Sequence, residues 1–115
     1  MIVPVILWER SMQRFLATRI AEVEYDDTVY YPALDRYDAT GEHVPDDVSS
    51  RAQALTDARC AAEEALIQTP TNSVANLKWK IAYARKRYED FCDLPESAWE
   101  AIHADLDRII AEREA

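Results

Sequence analysis

Glycine is almost missing from this chain: Gly41 is the only one in 115 residues. Strand-rich domains use glycine in their hairpin turns and alternate apolar with polar residues. Neither feature is present here, and apolar residues instead recur every three to four positions, which predicts an all-α protein. Cysteine is scarce too. Cys60 and Cys92 are the only two, too few and too far apart for a disulfide framework. Each falls inside a predicted helix, where reduced, buried thiols are expected, in keeping with a cytoplasmic protein. No stretch approaches the roughly 18 apolar residues of a membrane span. The apolar opening Met1 to Leu7 lacks a basic flank and a small-residue cleavage site, so it does not read as a secretory signal. The chain also lacks a Gly-rich phosphate loop, a Gly-x-Ser-x-Gly elbow and a Cys-x-x-Cys pair, and no cofactor is expected. Base is in deficit: 13 Lys and Arg stand against 22 Asp and Glu, for a net charge of −9. That charge disfavours non-specific binding to nucleic acid or to anionic membrane and suits a protein that meets a basic protein partner.

The length suits one helical domain over residues 1–115, with an apolar N-terminal arm at 1–7 and a frayed tail at 112–115. A chain of this size buries roughly two-thirds of its unfolded surface without metal or disulfide support. Four helical segments can be drawn. Trp8, Met12, Phe15, Leu16, Ile20 and Val23 form the first apolar stripe, whose spacing continues through Tyr30, Leu34 and Tyr37. Pro32 either kinks one long helix or opens a second short one at its first turn. Gly41 ends the run as a left-handed cap or a loop residue. Pro45 sits where the next helix starts, with Asp46 and Asp47 facing the positive end of its dipole. Val48, Ala52, Leu55, Ala62 and Leu66 make the second stripe, with Arg59 as a polar intrusion. Thr69-Pro70-Thr71-Asn72-Ser73 is the clearest break, and Ser73 is a good cap for a third helix. That helix has Val74, Leu77, Ile81, Ala84 and Tyr88 as its expected inner face. Asp93-Leu94-Pro95-Glu96 has capping-box spacing, and Trp99, Ile102, Leu106, Ile109 and Ile110 carry the fourth helix. Short connections favour antiparallel neighbours, so the expected architecture is an up-down bundle of three to four helices. A helical hairpin completed by dimerisation is the alternative.

Charge is segregated along the chain. Glu22, Glu24, Asp26, Asp27, Asp35, Asp38, Glu42, Asp46 and Asp47 face Arg36 alone between residues 22 and 47. This is either a solvated surface or one that docks on a basic protein, with Asp26, Asp27, Asp35 and Asp38 as the candidate docking residues. Lys78, Lys80, Arg85, Lys86 and Arg87 cluster in the third helix, where their stems are expected to cover the rim of the core and leave the charges in water. A helical wheel places Trp79 and Tyr83 opposite the Leu77–Ile81–Tyr88 face. Either that helix packs on both sides, or the two aromatics anchor a partner or second subunit.

Signals for catalysis are thin. Glu100 and His103 have the Glu-x-x-His spacing that carboxylate-bridged metal bundles use twice. Here the pair occurs once, and Asp107 offers His103 an ordinary ion pair one turn on. Cys92 and His103 lack a third orienting residue for a thiol–imidazole couple.

The run from Asp57 to Ile81, a helix followed by Thr69-Pro70 and then by a helix with Lys78-Trp79-Lys80, resembles small helical proteins of bacterial prophages and mobile elements. So does the preceding stretch with Pro32-Ala33-Leu34 and the Pro45 helix start. The resemblance covers about residues 20–85. It implies a mobile-element origin and a small helical fold, and it carries over no functional residue. The resulting expectation is a non-enzymatic phage- or prophage-type accessory protein. It would bind and modulate a protein partner, such as a nucleic-acid-handling host defence complex. The alternatives are an assembly protein acting as its own homo-oligomer, and a metal-dependent enzyme using Glu100 and His103.

Overall fold

The computed structural model describes residues 3–89 and 96–114. Every regular element among them is helical. The elements are α1 (Val5–Tyr25), a π-helical turn (Asp26–Tyr30), α2 (Tyr31–Thr40), α3 (Asp46–Gln68), α4 (Val74–Glu89) and α5 (Glu96–Glu114). The expected all-α class with a long first helix is what the chain adopts, because α1, the π turn and α2 run on as one rod of 36 residues. Cys92 and most of the Asp93–Glu96 capping box lie outside the described residues. α1 takes in the last residues of the apolar arm, and α5 stays helical through Glu114.

Pro32 explains the π turn. Its ring has no N–H to donate and would collide with the carbonyl four residues back in a regular α-helix. Widening the preceding turn relieves that collision. The Tyr31 N–H bonds to the Asp26 carbonyl, five residues back instead of four. Thr28 Oγ1 donates to the Glu24 carbonyl at 2.7 Å on the same stretch. The helix thus passes Pro32 without stopping. It stops at Gly41, whose φ of 74° is left-handed and whose N–H reaches the Tyr37 carbonyl at 2.8 Å. At the start of α4, Ser73 caps as expected, its Oγ accepting from the Asn76 N–H at 3.2 Å.

The chain divides into two compact units. One comprises residues 1–11 and 64–115, the other residues 12–63. The core of the first holds Ile67, Leu77, Ala84, Ala98, Ile102 and Ile109, with Trp79, Tyr83 and Trp99 packed partly buried against it. α4 lies along α5, and Gln68 Nε2 donates to the Ser97 carbonyl at 3.0 Å.

The centre of this unit is ionic. Lys80 is fully buried and Asp105 is 1% exposed. The Lys80 ammonium pairs with Asp105 Oδ2, donates to the Thr69 carbonyl at 2.8 Å and sits 5.5 Å from the centre of the Trp8 ring. Asp105 Oδ1 accepts from the Thr71 N–H at 3.1 Å and from Arg108 at 3.0 Å. Arg108 also donates to the Thr71 carbonyl at 3.2 Å. The break that Pro70 forces between α3 and α4 leaves backbone groups without helical partners, and Thr71 within it is buried. Three charged side chains supply what the helix no longer can. Burial pulls the Lys80 pKa below its ordinary 10.5, and Asp105 opposes that pull.

Lys80 therefore corrects the expectation that its charge stays in water. It also turns α4. Leu77, Lys80 and Ala84 are buried, whereas Val74 and Ile81, expected on the inner face, are exposed. The same displacement recurs elsewhere. Trp8 and Phe15 of α1 are buried, but Leu16, Ile20 and Val23 are exposed; on α5, Asp105 and Ile109 are buried, while Leu106 and Ile110 are exposed. α3 follows expectation more closely, with Ala52, Ala62 and Leu66 buried and Val48 and Leu55 half-buried. Cys60 is a further correction: it is exposed, on a turn of α3 whose inner side is filled by Arg59.

Lys80→Met is expected to cost about 3–5 kcal/mol in urea unfolding, because Asp105 stays buried with its cation removed. Lys80→Met/Asp105→Leu should cost clearly less than the sum of the two single changes. A Lys80→Met chain with the parent's urea midpoint would contradict the pairing.

A candidate interaction surface

In the unit of residues 12–63, one acid of the 22–47 run turns inward. Arg59 Nε donates to Glu22 Oε1 at 3.1 Å, and Arg59 Nη1 donates to Glu63 Oε2 at 2.9 Å. The polar intrusion in the α3 stripe is thus the bridge that holds α1 against α3. Burial pulls the Arg59 pKa down, but the two carboxylates outweigh it and the group is held above its ordinary value. Glu63 is 6% exposed, so the bridge also gives a buried carboxylate a charged partner.

With Glu22 taken up internally, the remaining acid sorts by depth. Asp26 is half-buried at the start of the π turn. Its carboxyl is held above the ordinary 3.8, first by burial and then by repulsion from Glu22 and Asp27. Glu24, Asp27, Asp35, Asp38, Glu42, Asp46 and Asp47 are exposed. On α2, residues 31, 35 and 38 share one face, and 27 precedes them by one turn. Asp27, Tyr31, Asp35 and Asp38 therefore form a single exposed row, and none of them makes an ion pair among the described residues. Tyr31 is 50% exposed, its ring 6.0 Å from that of Tyr30. Tyr37 is also exposed and lies 5.7 Å from the His43 ring. The π turn sets the register of this row, since it decides which α2 residues continue the outer face of α1.

Trp79 and Tyr83 belong to the other unit. Their rings stack at 5.1 Å, 5° from parallel, and Trp8 meets Trp79 edge-on at 5.9 Å. Both are partly buried against the Ile67–Leu77–Ala84 core. Large aromatic faces used this way leave little free area for a partner. A cleft in the same unit is lined by Val3, Pro4, Trp8, Thr71, Asn72 and Asn76. The Thr71 hydroxyl at its wall already accepts from the Ser73 N–H and from Asn76 Nδ2, each at 3.1 Å. Asn72 Nδ2 donates to Glu112 at 2.8 Å.

Glu100, His103 and Asp107 are all exposed on α5. No group of three or more His, Cys, Asp or Glu side chains that could hold a metal ion occurs among the described residues. No helix among them is long and apolar enough to cross a membrane. Comparison with known protein families, with curated proteins and with solved structures gives no match for this chain.

The sign of the Asp26 shift makes a stability prediction. A carboxyl held above its unfolded value binds its proton more tightly in the fold, so its ionised form costs stability above that pH. The cost disappears as the pH falls below 3.8, where the group is protonated in both states. Asp26→Asn is therefore expected to raise Tm at pH 7, and the gain should shrink as thermal scans move toward pH 3. A variant less stable than the parent at pH 7 would show instead that the charge is needed.

Proposed function

We propose that this chain is a non-enzymatic accessory protein that docks on a basic surface of a protein partner and modulates it. The observation that carries this reading is the exposed row Asp27, Tyr31, Asp35 and Asp38, in which carboxylates without internal partners alternate with an exposed aromatic. Fixed carboxylates on a helix lose little conformational freedom on binding, and tyrosine supplies contact area of the kind enriched at interface centres. A row of one sign also speeds encounter with a partner of the other sign.

Clustered Lys and Arg mark proteins that handle nucleic acid, since neutralising phosphates requires them. We place the partner in that class, with the chain covering the surface that would otherwise meet nucleic acid. A host defence complex is a target in keeping with the resemblance to prophage and mobile-element proteins. Trp79 and Tyr83, stacked against their own core, are assigned to packing, and the docking surface is assigned to the π turn and α2.

The test is affinity capture of basic, nucleic-acid-binding proteins from bacterial lysate by the parent chain and by Asp35→Lys/Asp38→Lys, after circular dichroism has shown both to be folded. The expected result is a partner whose capture is lost with the charge reversal, and whose affinity for the parent falls by about tenfold or more between roughly 0.1 M and 0.5 M salt. Equal capture by the reversed variant, or capture insensitive to salt, would overturn the docking surface.

A further inference from the structure

Two exposed helix faces carry the same spacing with opposite charge. On α1 the row is Leu16, Ile20, Val23 and, at the opening of the π turn, Asp27. These positions are i, i+4, i+7 and i+11, the ridge that one helix offers to another. Leu16, Ile20 and Val23 are 46%, 64% and 47% exposed. They line an open apolar groove bordered by Arg19 and Glu24. On α4 the row is Val74, Lys78, Ile81 and Arg85, again i, i+4, i+7 and i+11. Val74 and Ile81 are 51% and 37% exposed, and Lys78 and Arg85 are exposed with them.

Laid side by side in the same direction, the rows match position by position. Leu16 meets Val74, Ile20 meets the aliphatic stem of Lys78, Val23 meets Ile81, and Asp27 faces Arg85. Glu24 lies on the rim beside this charged end and adds to its attraction for Lys78 and Arg85. Arg19, on the other rim, borders the apolar middle, where the contact depends on area and not on charge.

We propose that the apolar face of α1 is occupied by a second copy of this chain, which lays the Val74–Arg85 row of its α4 along Leu16–Asp27. Every copy carries both rows, so the contact either closes as a two-fold pair that uses it twice or extends head to tail. A single helix-on-helix contact falls short of the roughly 800 Å² per partner typical of stable interfaces. The association is therefore weak, dependent on concentration and sensitive to salt. It requires only that the two rows are exposed, and it does not depend on the docking role given above to α2.

Charge reversal tests this in a way that an unrelated mode of self-association would fail. Sedimentation velocity at low ionic strength, over about a hundredfold range of protein concentration, would compare the parent with Glu24→Lys/Asp27→Lys and with Lys78→Glu/Arg85→Glu. All substituted positions are exposed, and circular dichroism checks that each variant is folded. The parent's weight-average mass should rise with concentration above the 13.2 kDa of one chain and fall back at high salt. Each variant alone should stay at the mass of one chain, because its two rows then carry the same sign. An equimolar mixture of the two should associate again, since each row then meets one of opposite sign. A parent that keeps the single-chain mass throughout would overturn the proposal and leave the docking surface on α2 untouched. A parent that associates while both variants associate equally, or a mixture that stays monomeric, would also overturn it.

Discussion

The ammonium of Lys80 has no contact with solvent, and the connection between α3 and α4 takes its form around it. Pro70 ends α3, and the Thr69 carbonyl and both sides of Thr71 find side-chain partners in place of helical hydrogen bonds. A loop in that state ordinarily lies on the surface, where water satisfies it. Here it is drawn inward, because Lys80 takes the Thr69 carbonyl while Asp105 and Arg108 take the two sides of Thr71. The same three side chains join α4 to α5, and Trp8 closes over the ammonium from α1. A buried pair of this kind adds little net stability over an apolar substitute, but it is costly to break and demanding in geometry. It therefore selects one register of α4 against α5.

A second consequence is the rotation of the helices. Each of the long helices turns at least one charged residue into the interior: Glu22 on α1, Arg59 and Glu63 on α3, Lys80 on α4 and Asp105 on α5. A hydropathy wheel treats every one of these as a solvent residue and moves the inner face toward the nearest aliphatic neighbours. Val74 and Ile81 fall on the expected inner face for that reason, as do Leu16, Ile20, Val23, Leu106 and Ile110, and all seven are exposed. The charges could be inside because Arg59 reaches Glu22 on α1 and Lys80 reaches Asp105 on α5, pairings that no single helix reveals. Aromatic bulk acted in the same direction. Trp79 and Tyr83 pack partly buried against the core on the side of α4 opposite the expected inner face, as the reading of that helix as packed on both sides has it.

The surface is the complement of these choices. Apolar residues displaced from the interior lie in ordered rows on α1 and α4, and Asp27, Asp35 and Asp38 lie outward on the π turn and α2. The candidate docking residues were legible early, since a run of carboxylates with one arginine among them is visible in any reading of residues 22–47. Their division into an inward Glu22, a half-buried Asp26 and an outward row of Asp27, Asp35 and Asp38 was not legible. It depends on the extra residue in the π turn and on which carboxylate Arg59 reaches.

Local composition and spacing suffice for the all-helical class, the helix ends at Gly41 and Ser73, the break at Pro70 and the separation of acid from base along the chain. These follow from local causes: backbone freedom at one glycine, a missing donor at each proline, a hydroxyl placed to cap, and a periodicity near 3.6. Which face of each helix is buried, that Pro32 widens the helix and does not end it, that Cys60 is exposed and that Lys80 lies buried in its unit are settled by packing. A buried charge is stable only when its partner and the loop carbonyls it serves arrive together, and residues 80 and 105 become neighbours only once the helices have packed.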